Sequence, residues 1–452
     1  MISRVFPLAL AAMLAAGAQA QQSITPSPTP SLTPALTVEQ AVQIGLENSK
    51  MLRQSASKVL YADAKSAEVN ASSLPSIRAS GAYTRVSDIP PFSITLPFTI
   101  PGIPNSFVLS QTILDNYSLR VGVQQPLFTG FRLDASKDAA ARNVDASSQD
   151  YAKDKSDLIF NIKTAYWALF RARELKKLAD DNVAQITAHL NDVKNLEDQG
   201  LATINDMLAA EVQLSNGQLA QVDANNNAQI ALVALDNTLG IPLSTDITIA
   251  SPVAESPRQF ASLDSLVLRG LEARPEIKGM DARVKAGEAG VTMARAGWWP
   301  QISLTGNYYY ANPNQRFQPA QIAWKNTWDV GVNVSLDIWN WGTTVHQTDQ
   351  AQAQLAQTRE AFGQVQDGVT LDITQAYLTL KQARERVAVA KQAVARAEEN
   401  HRVTTQRYKE GLVLNSEMID ALYSLTSAKT TYTQSLVDFE LAQARLAKTV
   451  GE

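Results

Sequence analysis

Residues 131–198 read FRLDASKDAAARNVDASSQDYAKDKSDLIFNIKTAYWALFRARELKKLADDNVAQITAHLNDVKNLED. These 68 residues contain no Pro and no Gly. As one helix they extend to about 100 Å at about 1.5 Å per residue, far beyond the usual length in globular proteins. Such a helix needs a partner along its whole length. Its heptads show where that partner packs. One register gives Ile162, Leu169, Lys176, Val183 and Leu190, opposite Ala165, Ala172, Ala179, Ile186 and Val193. A seam held over about five heptads is a coiled-coil pattern.

The pattern occurs twice. From Thr343 to Glu410 only Gly363 and Gly368 interrupt a run of the same length. Its register gives Ile373, Leu380, Val387, Val394, His401 and Tyr408, opposite Ala376, Ala383, Ala390, Ala397 and Thr404. The likeness reaches outward from the long helices. Gly45-Leu46-Glu47, Val59, Pro75, Ile77, Gly81 and Tyr83 find counterparts 225 residues on, at Gly270-Leu271-Glu272, Val284, Pro300, Ile302, Gly306 and Tyr308. Val121-Gly122-Val123 answers Val330-Gly331-Val332. Ile162, Ala165-Tyr166, Gly200-Leu201, Met207 and Gly240 find Ile373, Ala376-Tyr377, Gly411-Leu412, Met418 and Gly451, all 211 residues on. The chain is a tandem repeat. The first copy covers 36–240 and the second 261–452, with a polar linker over 241–260.

Each copy reads helix, strand, loop, strand, very long helix, tight turn, helix. The helices over 37–73 and 204–239 are each about half as long as the central one. Stacked end to end they match its height, as a wall of full and half helices requires. The strands are expected at about 76–87, 117–125, 301–310 and 328–336. They alternate apolar and polar residues, as in Trp328, Val330, Val332, Val334 and Leu336 against Asp329, Gly331, Asn333 and Ser335. Strands of about ten such residues suit an outer-membrane barrel wall. Trp298, Trp299, Trp339, Trp341, Phe128 and Phe131 lie at the helix–strand joints. Tyr309, Tyr310, Trp324 and Trp328 lie near the opposite strand ends, giving two aromatic girdles. Four strands cannot close a barrel, and an open edge in lipid is not viable. Two or three chains sharing one barrel give eight or twelve strands.

The fold class expected is therefore mainly α with a β-barrel segment. Residues 1–20 read as a signal peptide, with Arg4, an apolar run and Ala18-Gln19-Ala20 before the cut. Residues 21–35 form a Pro-rich leader. The chain has no Cys, which removes disulfides, thiolate metal sites and Cys nucleophiles, and leaves no amino-terminal lipid anchor. Its net charge of −4 carries no basic patch suited to nucleic acid. No segment offers 18 consecutive apolar residues for a spanning helix. His189, His346 and His401 have no metal-ligand spacing and read as packing or surface residues. Without a phosphate loop or nucleophile elbow, no cofactor and no enzyme activity is expected. A periplasmic coiled-coil adaptor or scaffold without a pore is the alternative, and a secreted hydrolase a remote third.

The tandem copies, the paired strands between helices, and the turns Gln199-Gly200-Leu201-Ala202-Thr203-Ile204-Asn205-Asp206 and Tyr408-Lys409-Glu410-Gly411-Leu412-Val413-Leu414-Asn415-Ser416-Glu417 are together similar to the TolC family, over nearly the whole chain after residue 20. The resemblance implies a homotrimer with a shared 12-stranded barrel in the outer membrane of a Gram-negative bacterium. Long coiled-coil helices would continue it as a periplasmic α-barrel. The protein would be the passive exit duct of a tripartite efflux or type I secretion system. Its partners would be a periplasmic adaptor, an inner-membrane transporter and outer-membrane lipid. The two turns would form the periplasmic tip, with Gly200, Leu201, Asp206, Tyr408, Gly411 and Leu412 as tip and adaptor-contact residues. Glu417 and Asp420 match acidic positions that line the constriction, and their three-residue spacing puts both on one helix face. Val413 departs from the family pattern, standing where the best-known member carries a latching Arg.

Overall fold

The computed structural model describes residues 36–90, 92–95, 97–98, 101–102, 104–110, 112–250 and 261–452. The expected signal peptide, leader and second half of the linker lie outside the described residues.

Helix α1 (Val38–Asn48) starts at a capping box. The Gln40 amide N–H donates to Thr37 Oγ1 at 3.3 Å, and the Thr37 N–H donates to Gln40 Oε1 at 2.9 Å. Ser49 ends α1 and caps α2 (Lys50–Ala71), accepting from the Leu52 N–H at 3.1 Å. After strands β1 (Ser76–Arg85), β2 (Phe92–Thr95), β3 (Ser106–Ser110) and β4 (Asp115–Thr129) comes α3 (Arg132–Asp198), then α4 (Ile204–Leu239). The second copy runs α5 (Leu263–Ala273), α6 (Pro275–Ala294), a 3₁₀ turn (Arg295–Trp298), β5 (Gln301–Asn312), β6 (Lys325–Ser335), α7 (Thr343–Lys409) and α8 (Asn415–Val450).

Both long helices span 67 residues, so Gly363 and Gly368 leave α7 unbroken. The heptad seams are the cores. Ile162, Tyr166 and Leu169 of α3 pack with Ala41, Leu235 and Leu239. Ile373, Ala376, Leu380 and Ala383 of α7 pack with Leu266, Phe439, Ala442 and Leu446. The half-length helices stack end to end. A Cβ on Gly240, at the end of α4, would lie 3.1 Å from the Asn48 carbonyl. One on Gly451, at the end of α8, would lie 3.0 Å from Ala273. The repeat extends to single contacts: a Cβ on Gly45 or on Gly270 would strike the Cδ1 of Ile162 or Ile373 at 2.4 or 2.3 Å.

The first half of the linker is docked against the start of the first copy. Leu36 N–H donates to the Thr248 carbonyl at 2.6 Å, Ala250 N–H returns a bond to Leu36 at 3.0 Å, and Ile247 is fully buried. This strip covers Asp236, which has no exposed surface and no hydrogen-bond partner for either carboxylate oxygen. Burial pushes its pKa up to about 6, and Asp246 adds. The Thr245 amide, already given to the Pro242 carbonyl at 3.1 Å, offsets only part of this. A carboxyl whose folded pKa exceeds its unfolded one favours folding less as it ionises. Stability should therefore fall as pH rises from about 4 through about 6. Asp236→Asn is expected to raise stability at pH 7.5 by about 2 kcal/mol and to flatten that slope, as measured by denaturant unfolding at pH 5 and 7.5.

The main sheet has the order β1-β4-β5-β6, antiparallel throughout. β4 and β6 start before the expected 117–125 and 328–336, because the outer connections continue the ladder: Arg85 pairs with Asp115, and Ala311 with Lys325. β1 stops at Arg85 instead of 87, and β5 extends to Asn312. In the outer loop β2 and β3 pair as a separate hairpin. One face of the main sheet carries Ile77, Val121, Val123, Tyr308, Trp328, Val330 and Val332, all exposed in the single chain. Among the described residues β1 and β6 each have one unpaired edge. Tyr309 does not join the outer girdle. It sits directly opposite Arg120 on the other face. The outer aromatic group is Tyr83, Tyr117, Tyr310 and Trp324, with Tyr310 stacked on Trp324 at 4.8 Å.

Strand and helix meet through paired left-handed residues: Gly130 and Phe131 (φ 62° and 68°), then Trp341 and Gly342 (φ 55° and 78°). The 211-residue spacing aligns Gly130 with Trp341 and Phe131 with Gly342. Each joint has one glycine, at opposite positions of the same turn.

Candidate entrance site

The ends of the two helical hairpins come together far from the sheet. Helix α3 ends in a Schellman turn. The Gly200 N–H donates to the Glu197 carbonyl and the Leu201 N–H to Leu196, both at 2.8 Å. Helix α7 ends the same way, with Gly411 to Tyr408 and Leu412 to Arg407, both at 2.9 Å. Gly200 and Gly411 are left-handed, at φ 76° and 71°, with no other atom near where a Cβ would stand. Backbone conformation, not space, selects glycine there.

Helix α4 then starts from a second capping box. Asp206 N–H donates to Thr203 Oγ1 at 3.2 Å, while Asp206 Oδ2 accepts from the Thr203 N–H at 3.0 Å and from its hydroxyl at 2.6 Å. These bonds to Thr203 hold the Asp206 carboxyl below its usual range.

A polar junction ties the hairpins together. Asn415, at the start of α8, gives its Nδ2 to the Asp206 carbonyl at 3.1 Å. Its Oδ1 is therefore the acceptor facing His189 Nε2 at 2.7 Å, and the imidazole carries its proton on Nε2. His189 and Asn415 are both buried. The Tyr408 ring meets His189 edge-on, centroids 5.2 Å apart. It also packs on the cluster of Leu190, Val193 and Ala210. Burial pushes the Tyr408 phenol up, with Asp206 and Asp192 adding. Two turns earlier, burial lowers the pKa of His401, with Lys429 and His189 adding, and its Nε2 has no partner.

The structure thus brings Asp206 and Tyr408 to one junction. The residues that join them, His189 and Asn415, were not singled out as site residues in the sequence. They lie 226 positions apart, and no local pattern links them. Glu417 and Asp420 stand apart from the junction, on the exposed side of α8, while Met418, Ala421 and Leu422 of that helix are buried. Among the described residues neither carboxylate has an ion-pair partner. Leu201, Ile204, Leu412 and Leu414 expose apolar side chains around the turns.

A family model described as outer membrane efflux protein matches residues 41–241 and 266–452. The outer membrane efflux protein BepC of Brucella suis is 25% identical over 333 residues, covering 73% of this chain and 72% of that one. The toluene efflux pump outer membrane protein TtgC of Pseudomonas putida is 24% identical over 422 residues, covering 90% and 80%. The solved structure of the outer-membrane channel OprN superposes with a TM-score of 0.77 at 18% identity, covering 92% of this chain and 89% of that one.

Proposed function

The chain belongs to the outer membrane efflux protein family, a family of transport channels of the Gram-negative outer membrane, and from that premise we infer that three copies form one duct whose entrance is the hairpin junction. One observation carries this reading. A four-stranded sheet with an apolar face stands at one end of the long helical hairpins, its two edges unpaired among the described residues, and at the other end stand carboxylates without an ion-pair partner among those residues. Three copies would complete a 12-stranded barrel in outer-membrane lipid and leave no edge unpaired.

At the entrance, Glu417 and Asp420 of three chains would form two stacked acidic rings that favour cations. His189, Asn415, Asp206 and Tyr408 would hold neighbouring hairpins in the closed arrangement without an arginine at 413. The exposed Leu201 and Leu412, beside Gly200 and Gly411, suit a periplasmic adaptor that connects to an inner-membrane transporter. The adaptor alternative is not favoured: such a protein needs one helical hairpin and no lipid-facing strands.

The test is conductance of the purified protein in a planar lipid bilayer. Wild type is expected to give small, cation-selective steps. The Glu417→Gln, Asp420→Asn pair should lower the cation-to-anion permeability ratio about threefold or more. Pores with unchanged selectivity would place the constriction elsewhere. Well-folded oligomer without pores would remove the channel reading.

A further inference from the structure

Register places residues in rows across the sheet, and directly opposed residues share a face. On the face opposite the apolar one, one row is Arg78, Gly122, Asn307 and Asp329. The next is Ser80, Arg120, Tyr309 and Thr327, and the third Ala82, Ser118, Ala311 and Lys325. Arg316, from the β5–β6 connection, folds onto the same face and pairs with Asp329.

These groups are built into a frame. Arg120 donates from Nε and Nη2 to Asn307 Oδ1 at 3.1 and 2.7 Å. Asn307 donates from Nδ2 to Asp329 Oδ1 at 2.7 Å. Arg316 also gives Nη1 to the Trp328 carbonyl at 3.2 Å. The Tyr309 ring supports both guanidiniums, 4.8 Å from Arg316 and 5.5 Å from Arg120. A Cβ at Gly122 would stand 3.0 Å from Asn307 Oδ1, so the glycine leaves the bridge its room. Arg78, Arg120, Arg316 and Lys325 face a single carboxylate, Asp329. Among the described residues Arg78 and Arg120 form no salt bridge, and Arg120 reaches Asp329 through Asn307.

We propose that this frame is an anion-binding belt inside the barrel, taking small organic anions, carboxylates or sulfonates, on their way out. It rests on the barrel reading above, which makes this face the lumen. Arg78, which no bond of the frame engages, can offer paired N–H donors to a carboxylate or sulfonate edge, beside the donors that Arg120 does not spend on Asn307. A ring of like charge within low-dielectric walls concentrates counter-ions. The belt has the opposite sign to the entrance carboxylates, so the two ends of the duct would sort solutes by charge separately.

The experiment uses the whole chain, which has no Cys of its own, so Ser80→Cys takes a single neutral fluorophore beside Arg78 and opposite Arg120. In vesicles, iodide, caesium and acrylamide quench the dye, each normalised to its action on the free dye. Iodide is expected to exceed acrylamide by about threefold or more, and caesium to fall below it. Adding Arg78→Gln and Arg120→Gln should cut the iodide excess at least about twofold, and molar chloride should remove most of it. Arg78→Gln alone disturbs none of the cross-strand bonds of the frame and should give about half the effect, which keeps the test valid if the double variant folds poorly. Iodide no better than acrylamide, or an excess indifferent to both variants, would overturn the belt. A dye reached only by a lipid-borne quencher would instead overturn the barrel reading itself.

Discussion

Replacing Gly130 by alanine is expected to destabilise the protein by about 3 kcal/mol or more and to weaken the trimer proposed above. Two effects add at this position. The residue is left-handed, at φ 62°, where an alanine costs about 1–2 kcal/mol. Its new methyl would also meet the Ala296 carbonyl oxygen at 2.6 Å and Trp299 Cβ at 2.8 Å. The first obstacle is backbone and cannot swing aside, so strand and helix would have to part. Gly200→Ala is the matched control. It carries the same left-handed strain, at φ 76°, with nothing within 4 Å, and should cost only about 1 kcal/mol. Equal losses for the two variants, in thermal unfolding or in oligomer retention on heating, would show that crowding at the joint does not matter.

His189→Ala is expected to unlatch the entrance. The substitution empties a buried site beside Leu190 and Val193 and leaves Asn415 Oδ1 without its donor. Together these cost about 2–4 kcal/mol. If the junction holds the closed arrangement, even about 1.4 kcal/mol of that loss would raise the open population about tenfold. Single-channel recordings should show larger and more frequent steps. Asn415→Ala should act similarly, by orphaning the imidazole and freeing the Asp206 carbonyl. Replacing both partners with apolar residues, His189→Phe with Asn415→Leu, should recover much of the closure, since imidazole and amide no longer leave each other unpaired and only the Asp206 carbonyl loses a donor. Single variants that fold normally and conduct like wild type would remove the junction from the gate.

The long helices were legible because their signal is long. Five heptads without Pro or Gly leave little choice, and the two interior glycines of α7 cost too little to break a helix packed along its seam. The four wall strands were legible by alternation, although their ends were not, since ladders continue wherever the partner strand still faces them. The β2–β3 hairpin was missed: strands of four and five residues among prolines carry no readable period. Tyr309 was read by its neighbours in sequence, whereas its face is set by Arg120 across the sheet. Asp236 carried no readable signal: its burial comes from the strip around Ile247, which packs back on the helix from outside it in sequence. At the tip, Asp206, Tyr408 and the two glycines were named from the resemblance, and the structure places Asp206 and Tyr408 at one junction and the glycines in the two turns. The His189–Asn415 bond depends on tertiary packing between two hairpins and has no local signature.

The crowded joint at Gly130 and the open turn at Gly200 sit at opposite ends of the same helix, α3. The first hairpin is therefore a lever, held by close packing at the sheet and at its tip only by the side chains of the His189–Asn415 junction. Over a length of about 100 Å, a tilt of about three degrees at the clamp sweeps the far end through about 5 Å. That is the width of an ion with part of its water shell. In the duct proposed above, slight sliding along the Ala-rich seams would become an aperture-sized displacement at the tip while the sheet stayed still.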